Sequence, residues 1–301
     1  MNETKLIAWL RARRAPQKGV LLGIGDDAAL VEPGRGRLLL KADMIIEKVH
    51  FDRRSREEDW GRKALACNLS DIAAMGGTPL YALVSLGLPR GFSLAGAQRI
   101  LKGILKLARR YGVSVVGGDT SRSERIVISV AVVGRADPGK LFCRSGARTG
   151  DVVFVTGRLG GSLRSGRHLK FEPRLRESRF LKEFYGVHAM IDVSDGLAKD
   201  LRHLAEESRV GMVIFENFLP LNRDVKKADS AFRDGEDFEL AFTLSALDGW
   251  RLLRDRRGFR RGFRFYPIGR ILPRKEGLFI EGPGGRRRAF PKAHDHHFGR
   301  S

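Results

Sequence analysis

Apolar runs in this chain end repeatedly in short acidic turns, and that pattern requires a fold that gathers strand and helix ends around one centre. The turns are Gly25-Asp26-Asp27, Ala42-Asp43, Ser70-Asp71, Gly118-Asp119-Thr120, Asp192-Val193-Ser194-Asp195 and Gly235-Glu236-Asp237. A single Asp beside a Gly is ordinarily a turn residue. Six such sites in a chain with 56 Lys+Arg against 35 Asp+Glu strain that explanation. Asp clusters at flexible turns suit hard cations such as Mg2+, which take oxygen ligands and bridge to substrate phosphates.

The chain has 301 residues and 42% hydrophobic content, enough for two domains or one large one with a true core. No window reaches the roughly 18 apolar residues of a membrane span. Met1 to Arg14 has no apolar core of signal-peptide type and reads as an amphipathic helix with Leu6, Trp9 and Leu10 on one face. Cys67 and Cys143 are far apart and lack metal-ligand spacing, which fits buried thiols in a reducing compartment and predicts a cytoplasmic protein. The net charge of +21 raises nucleic-acid binding. The densest basic stretch is Arg251, Arg254, Arg256, Arg257, Arg260, Arg261, Arg264 and Arg270. No helix-turn-helix, zinc-finger or aromatic RNA-binding motif accompanies it, so a solvated Arg-rich surface is favoured. A positive field would also gather small anions.

Strands are expected at Val20 to Ile24, Leu38 to Ala42, Ile45 to Phe51 and Leu80 to Leu88. Trp60, Leu65, Leu69, Ile72 and Ala73 recur at helical spacing across Asp59 to Met75, and Gly76-Gly77-Thr78-Pro79 ends that helix. Ser93 caps a second helix that runs to Tyr111 and closes at Gly112. Val113 to Val116 and Ile126 to Val133 read as strands flanking a loop, Gly117 to Arg125. A boundary falls between Ala136 and Gly150. Beyond it come a strand at Asp151 to Thr156, a Gly-rich loop at Gly157 to Gly166 and a strand at Met190 to Val193. Ser194 is expected to cap a helix from Asp195 to Ser208. Phe238 to Leu244, Phe263 to Leu272 and Leu278 to Glu281 follow as strands, with a helix at Leu247 to Arg257.

Gly117-Gly118-Asp119-Thr120 follows an apolar strand, where glycines let backbone N–H groups approach phosphate and Asp119 can hold a bridging metal. Neither a P-loop nor a dinucleotide-binding Gly-x-Gly-x-x-Gly turn is present. Asp192-Val193-Ser194-Asp195 leads into a helix N-terminus, which favours anions; Ser194 as a plain N-cap explains part of it, and Asp192 is left over. Asp71 lies inside a helix, where Asp has poor propensity, so metal binding and a buried hydrogen bond are equal alternatives. No Ser sits in a nucleophile elbow and neither Cys is near a His. Carboxylates without a nucleophile point to direct phosphoryl transfer.

In this order the segments resemble thiamine-monophosphate kinases, of the aminoimidazole ribonucleotide synthetase-like superfamily. They are Gly23-Ile24-Gly25-Asp26-Asp27-Ala28-Ala29, Ala42-Asp43 through Val49-His50-Phe51, Asn68-Leu69-Ser70-Asp71-Ile72-Ala73-Ala74-Met75-Gly76, Gly117-Gly118-Asp119-Thr120, Arg144-Ser145-Gly146-Ala147, Ile191 to Leu197 and Gly235-Glu236-Asp237-Phe238-Glu239-Leu240. The resemblance implies an α+β fold of two domains, 1–137 and 150–301. The first would bind ATP and Mg2+ and form a dimeric β-barrel; the second would be a C-terminal α/β sandwich. It implies transfer of the γ-phosphoryl of ATP to thiamine monophosphate, with several Mg2+ ions held by Asp26, Asp43, Asp71, Asp119, Asp192 and Asp195. Gly118, Asp119, Arg144 and Ser194 would contact the nucleotide, His50 and Glu236 the thiamine-phosphate side, and Asp71, Asp119 and Asp192 would position the reactants. A homodimer is implied, with no membrane and no nucleic acid as partner.

The sequence departs from that pattern where Lys41 and Ala42 replace the usual Ser/Thr before Asp43, and where Asp234 replaces a Gly. The stacking residue for thiamine is not evident; His294 and Phe298 are candidates. Two other readings stand beside this one. One is another ATP-dependent synthetase or kinase of the superfamily with a different acceptor. The other is a non-catalytic basic phosphate- or RNA-binding relative.

Overall fold

The computed structural model describes residues 19–22, 26–34, 36–137, 139 and 141–291. The expected N-terminal helix, His294 and Phe298 lie outside the described residues.

Residues 20 to 136 build a six-stranded sheet. Its strands are β1 (Val20–Leu22), β2 (Ala29–Val31), β3 (Arg37–Ile46), β4 (Thr78–Leu88), β5 (Ser114–Arg122) and β6 (Val127–Ala136), in the order β1-β2-β3-β6-β4-β5. Only β4 and β5 run parallel, joined by a helical crossover. Helices α1 (Glu57–Ala74) and α2 (Leu94–Tyr111) belong to this half. Alternation decides the faces. Leu39 and Ile45 of β3, Val84 and Leu86 of β4, and Ile128, Val130 and Val132 of β6 are buried in one core with the helices. The opposite face leaves Leu40, Met44, Tyr81 and Leu83 between 41% and 55% exposed. The sheet is open, ending at β1 and β5, and no closed barrel forms among the described residues.

Helix α1 starts with Glu57, Glu58 and Asp59 in its first turn, which complement the helix dipole. From Asp59 onward all but one of its side chains are buried, so it is a central rod rather than a surface helix. Helix α2 follows the sequence expectation: Ser93 Oγ accepts from the Gly96 amide at 3.0 Å, and Gly112 takes the left-handed C-cap at φ 68°. The two helices cross at Gly61 and Gly103. A Cβ on either would lie 1.9–2.0 Å from a carbonyl oxygen of the other helix.

The second half carries a seven-stranded sheet. Its strands are β7 (Val152–Val155), β8 (Ala189–Val193), β9 (Gly211–Phe215), β10 (Glu239–Leu244), β11 (Tyr266–Leu272), β12 (Leu278–Glu281) and β13 (Arg287–Ala289). Their order is β13-β12-β9-β11-β7-β10-β8. Helices α3 (Ser162–Ser165), α4 (Leu175–Phe184), α5 (Leu197–Ser208), α6 (Asp229–Arg233), α7 (Ala246–Arg254) and α8 (Arg256–Arg260) surround it. Strands β8 and β10 are buried on both faces. One face packs on Leu197, Leu201 and Leu204 of α5. The other packs on Phe180 and Leu181 of α4, on Phe142, and on Ala73 and Ala74 at the end of α1. Ser178 Oγ donates to the Ala73 carbonyl and Lys182 Nζ to the Gly76 carbonyl, each at 2.6 Å. The end of α1 is thereby held by both halves.

Several local expectations change. Strand β3 runs unbroken to Ile46, and the expected strand over 45–51 is a turn: Lys48 adopts φ 66° and His50 Nδ1 accepts from the Ile46 amide at 3.0 Å. The expected loop at 117–125 is mostly strand, because β5 pairs with β4 as far as Arg122. Ser194 is not an N-cap. Helix α5 starts later, at Leu197, with Gly196 in the cap position and no side-chain cap. The single helix expected at 247–257 breaks at Asp255, whose carboxylate accepts from the Arg257 amide at 2.8 Å and caps α8.

Candidate functional site

Three elements converge at the seam between the halves. Asp27 lies in the turn between β1 and β2, Asp71 near the end of α1 and Asp192 near the end of β8. All three are buried, and one carboxylate oxygen of each lies within 4.8 Å of the others. Ser70 Oγ donates to Asp192 Oδ2 at 2.8 Å, tying α1 to β8. Arg144 Nη2 donates to Asp27 Oδ1 at 2.8 Å. Asp27 Oδ2 is buried with no hydrogen-bond partner among the described residues. An orphaned buried carboxylate oxygen is costly unless a ligand completes it. Lys41 Nζ lies 3.2 Å from Asp71 and 3.3 Å from Asp43.

Electrostatics point the same way. Burial, opposed by Lys41 but reinforced by Asp192 and Asp43, pushes Asp71 well above the usual carboxylate range. Burial and then Asp27 raise Asp192 to about 7. Burial and then Asp27 raise Asp26 to about 6. A set of carboxylates that resists ionisation is short of positive charge, and a divalent cation supplies it.

The sequence singled out Asp26, but its neighbour Asp27 faces the trio. Asp26 instead accepts from the backbone amides of Asp27 at 3.0 Å and Arg144 at 3.3 Å. Asp43 borders the trio through Lys41. Asp195 pairs with Lys199 at 2.6 Å, and its amide donates to Asp200 at 3.1 Å. Asp200 was not a sequence candidate. It is buried, and burial, Asp195 and Asp192 raise its pKa strongly.

Asp119 is not brought to the trio. It is exposed on edge strand β5 and pairs in register with Ser85, whose neighbours Val84 and Leu86 point into the helix-covered core. Asp119 therefore lies level with the open face of the sheet, and it accepts from Ser121 Oγ at 3.1 Å. Gly118 beside it admits no side chain, since a Cβ would fall 1.7 Å from the Val84 carbonyl oxygen.

His50 and Glu236 do come together, through a residue the sequence did not single out. Lys63 is wholly buried on α1; its Nζ lies 2.6 Å from Glu236 Oε2 and 2.9 Å from the His50 carbonyl oxygen. Glu236 and Phe238 adopt φ 60° and 50°, a strained conformation for these residues. Their amides donate to the Ser194 and Val193 carbonyls at 2.7 Å, fastening this turn to the end of β8. The unusual Asp234 accepts from the Gly161 amide at 3.2 Å, a structural task. Burial raises the Cys67 thiol well above its usual value and lifts Cys143 to about 12, so neither is a poised thiolate. A cavity of about 420 Å³ lies away from the trio, beside Asp237 and Glu239. Two guanidiniums in its wall are committed, Arg167 to Asp224 and Arg174 to Glu239.

Comparison with known proteins places this geometry in a family. Residues 25–136 match the family described as AIR synthase related protein, N-terminal domain, and the fold is the corresponding α+β arrangement of mixed sheets and helices. A thiamine-monophosphate kinase of Rhodopirellula baltica is 41% identical over 264 residues, covering 81% of this chain and 82% of that one. One from Bacillus subtilis is 37% identical, covering 84% and 86%. The solved structure of AaThiL complexed with AMPPCP and TMP superposes with a TM-score of 0.82 at 33% identity, over 97% of this chain and 96% of that one. Kinship at this identity, over most of this chain and of each relative, shows that the chain belongs to the thiamine-monophosphate kinase family.

Proposed function

We propose that this protein transfers the γ-phosphoryl group of ATP to the phosphate of thiamine monophosphate, giving thiamine diphosphate and ADP. The observation that carries the reading is the buried trio Asp27, Asp71 and Asp192 with its orphaned oxygen, at the seam of two halves whose relatives are thiamine-monophosphate kinases.

Asp27, Asp71 and Asp192 would hold Mg2+, with Asp43, Asp26 and Asp195 bordering them. Bound there, Mg2+ would supply the positive charge that phosphoryl transfer between two anions needs. The chain's own groups do the rest. Asp71 and Asp192 set the position of the reacting phosphates from two rigid elements. Arg144, already on the rim of the trio through Asp27, offers a planar pair of donors to phosphate oxygens. Ser194 lies two residues beyond Asp192 at the same strand end and adds a hydroxyl there. Lys63 fixes Glu236 and the His50 turn as one wall for the acceptor. An acceptor phosphate is ionised at neutral pH, so no general base is required.

Two domains, 1–137 and 150–301, are the natural division, since each half has its own sheet. A homodimer is favoured because Leu40, Met44, Tyr81 and Leu83 form an apolar row on an uncovered sheet face. Two copies packed there would form a shared barrel. They would also enclose Gly118 and Asp119, which a single chain leaves exposed. No helix among the described residues is long and apolar enough to cross a membrane. We read the protein as cytoplasmic and its positive charge as a means of gathering anionic substrates rather than nucleic acid.

The test is one assay with ATP, Mg2+ and thiamine monophosphate. ADP and thiamine diphosphate are expected in equal amounts. ADP release without thiamine diphosphate would overturn the acceptor, and no ADP release would overturn the reaction.

A further inference from the structure

Lys41 stands among carboxylates. It lies on the core-facing side of β3, the side that carries Leu39 and Ile45 into the core beneath α1. Its Nζ is 3.2 Å from Asp71 Oδ2 and 3.3 Å from Asp43 Oδ1, and Asp192 acts on it electrostatically as well. Two carboxylates at ion-pair distance hold the ammonium in place from either side. An ammonium is a compact point charge with three donors and can take the place of a small cation between oxygens.

The charge count makes its presence consequential. Asp27, Asp43, Asp71 and Asp192 supply four negative charges when ionised. Arg144 is fixed on Asp27, and Lys41 bridges Asp43 and Asp71. Two formal negative charges remain, which one divalent ion neutralises. Without the ammonium, three remain and the Asp43–Asp71 side has no cation. The orphaned oxygen belongs to Asp27, on the side Lys41 does not touch, so the place left for a metal is next to Asp27 and Asp192.

We propose that the Lys41 ammonium is a resident cation of the acidic cage, occupying the position between Asp43 and Asp71 where a divalent ion would otherwise bind. The enzyme thus binds one metal fewer than the same cage without the lysine. The inference rests on reading the trio as a divalent-metal site, but not on the identity of the acceptor.

The experiment counts metals rather than turnover. The full-length protein, Lys41→Gln and Lys41→Met are titrated with Mn2+ without nucleotide, and free Mn2+ is followed by electron paramagnetic resonance. Circular dichroism confirms folding. Two neutral variants are used so that one remains if the other does not fold, and Lys41→Arg keeps the charge as a control. Either neutral variant is expected to bind one Mn2+ more per chain than the parent, and Lys41→Arg none more. Equal stoichiometry in parent and neutral variants, with only lower thermal stability in the variants, would make Lys41 a structural ion-pair partner and overturn the inference while leaving the metal site standing. No Mn2+ bound by any of them would overturn both.

Discussion

Two groups of buried carboxylates lie in this molecule, and they differ in what completes them. In the second half, Asp237 accepts from the Gly160 amide at 2.7 Å and Ser162 Oγ at 2.5 Å. Glu239 accepts from Thr156 Oγ1 at 2.6 Å and is paired with Arg174 through two guanidinium nitrogens. At the seam, Asp27 has one oxygen on Arg144 and the other without a hydrogen-bond partner among the described residues. Burial raises the pKa of both groups, Asp237 and Asp192 each to about 7. Burial and a displaced pKa therefore do not separate a structural carboxylate from a functional one. The count of satisfied oxygens does.

That contrast can be broken by experiment. Asp71→Asn should lower kcat on the order of 10²- to 10³-fold while leaving the circular dichroism spectrum unchanged, because it removes one of the carboxylates that would hold the divalent cation; near-normal turnover would remove Asp71 from the chemistry. Arg174→Met should act in the opposite way. It strands the buried Glu239, and urea denaturation should register a loss of about 3 kcal/mol, the low end for a broken buried pair because Arg174 is partly solvated. A stability change under about 1 kcal/mol would mean that water replaces the pair.

A third measurement sharpens the comparison through pH. In metal-free protein, Asp26 and Asp192 have folded values of about 6 and about 7 against an ordinary 3.8. A raised folded pKa gives stabilisation that is complete below 3.8 and is lost as pH rises through the folded value. Asp255, held below the usual range chiefly by Arg257, stays ionised in the window used and does not enter. These two groups alone should therefore cost metal-free protein about 4 kcal/mol between pH 5 and 7.5. Mg2+ should raise the melting temperature more at pH 7.5 than at pH 5. A metal effect that is flat with pH would contradict the assignment. The smallest effect is expected at Asp234→Gly, which removes one hydrogen bond to the Gly161 amide. Stability should fall by about 1 kcal/mol with KM for thiamine monophosphate unchanged, whereas a raised KM would give Asp234 a role in binding.

Local chemistry made part of this readable in the sequence. Ser93 and Gly112 mark the ends of α2 because caps are set by neighbouring residues. Asp71 could be singled out because an aspartate inside an apolar helix has no local reason to be there. What could not be read depends on direction or on distance along the chain. Asp26 and Asp27 are chemically identical neighbours, and only their own backbone directions decide which faces the seam. Asp119 has a sequence setting much like that of Asp192, yet strand register puts it on the open face. Lys63 meets Glu236 across 173 positions, and its signal, a lysine on the buried side of an apolar helix, becomes meaningful only once both faces of α1 are known to be covered. Helix α4 leaves little trace in the sequence because its buried positions, Ser178, Phe180 and Leu181, do not make a regular apolar stripe.

The end of α1 is gripped by Ser178 and Lys182 from the far half, and Ala73 and Ala74 fill that half's core. Severing the chain between the halves would strip both of a shared wall. The two halves are therefore joined by a common core element as well as by the chain, and the carboxylate trio exists only where both are in place.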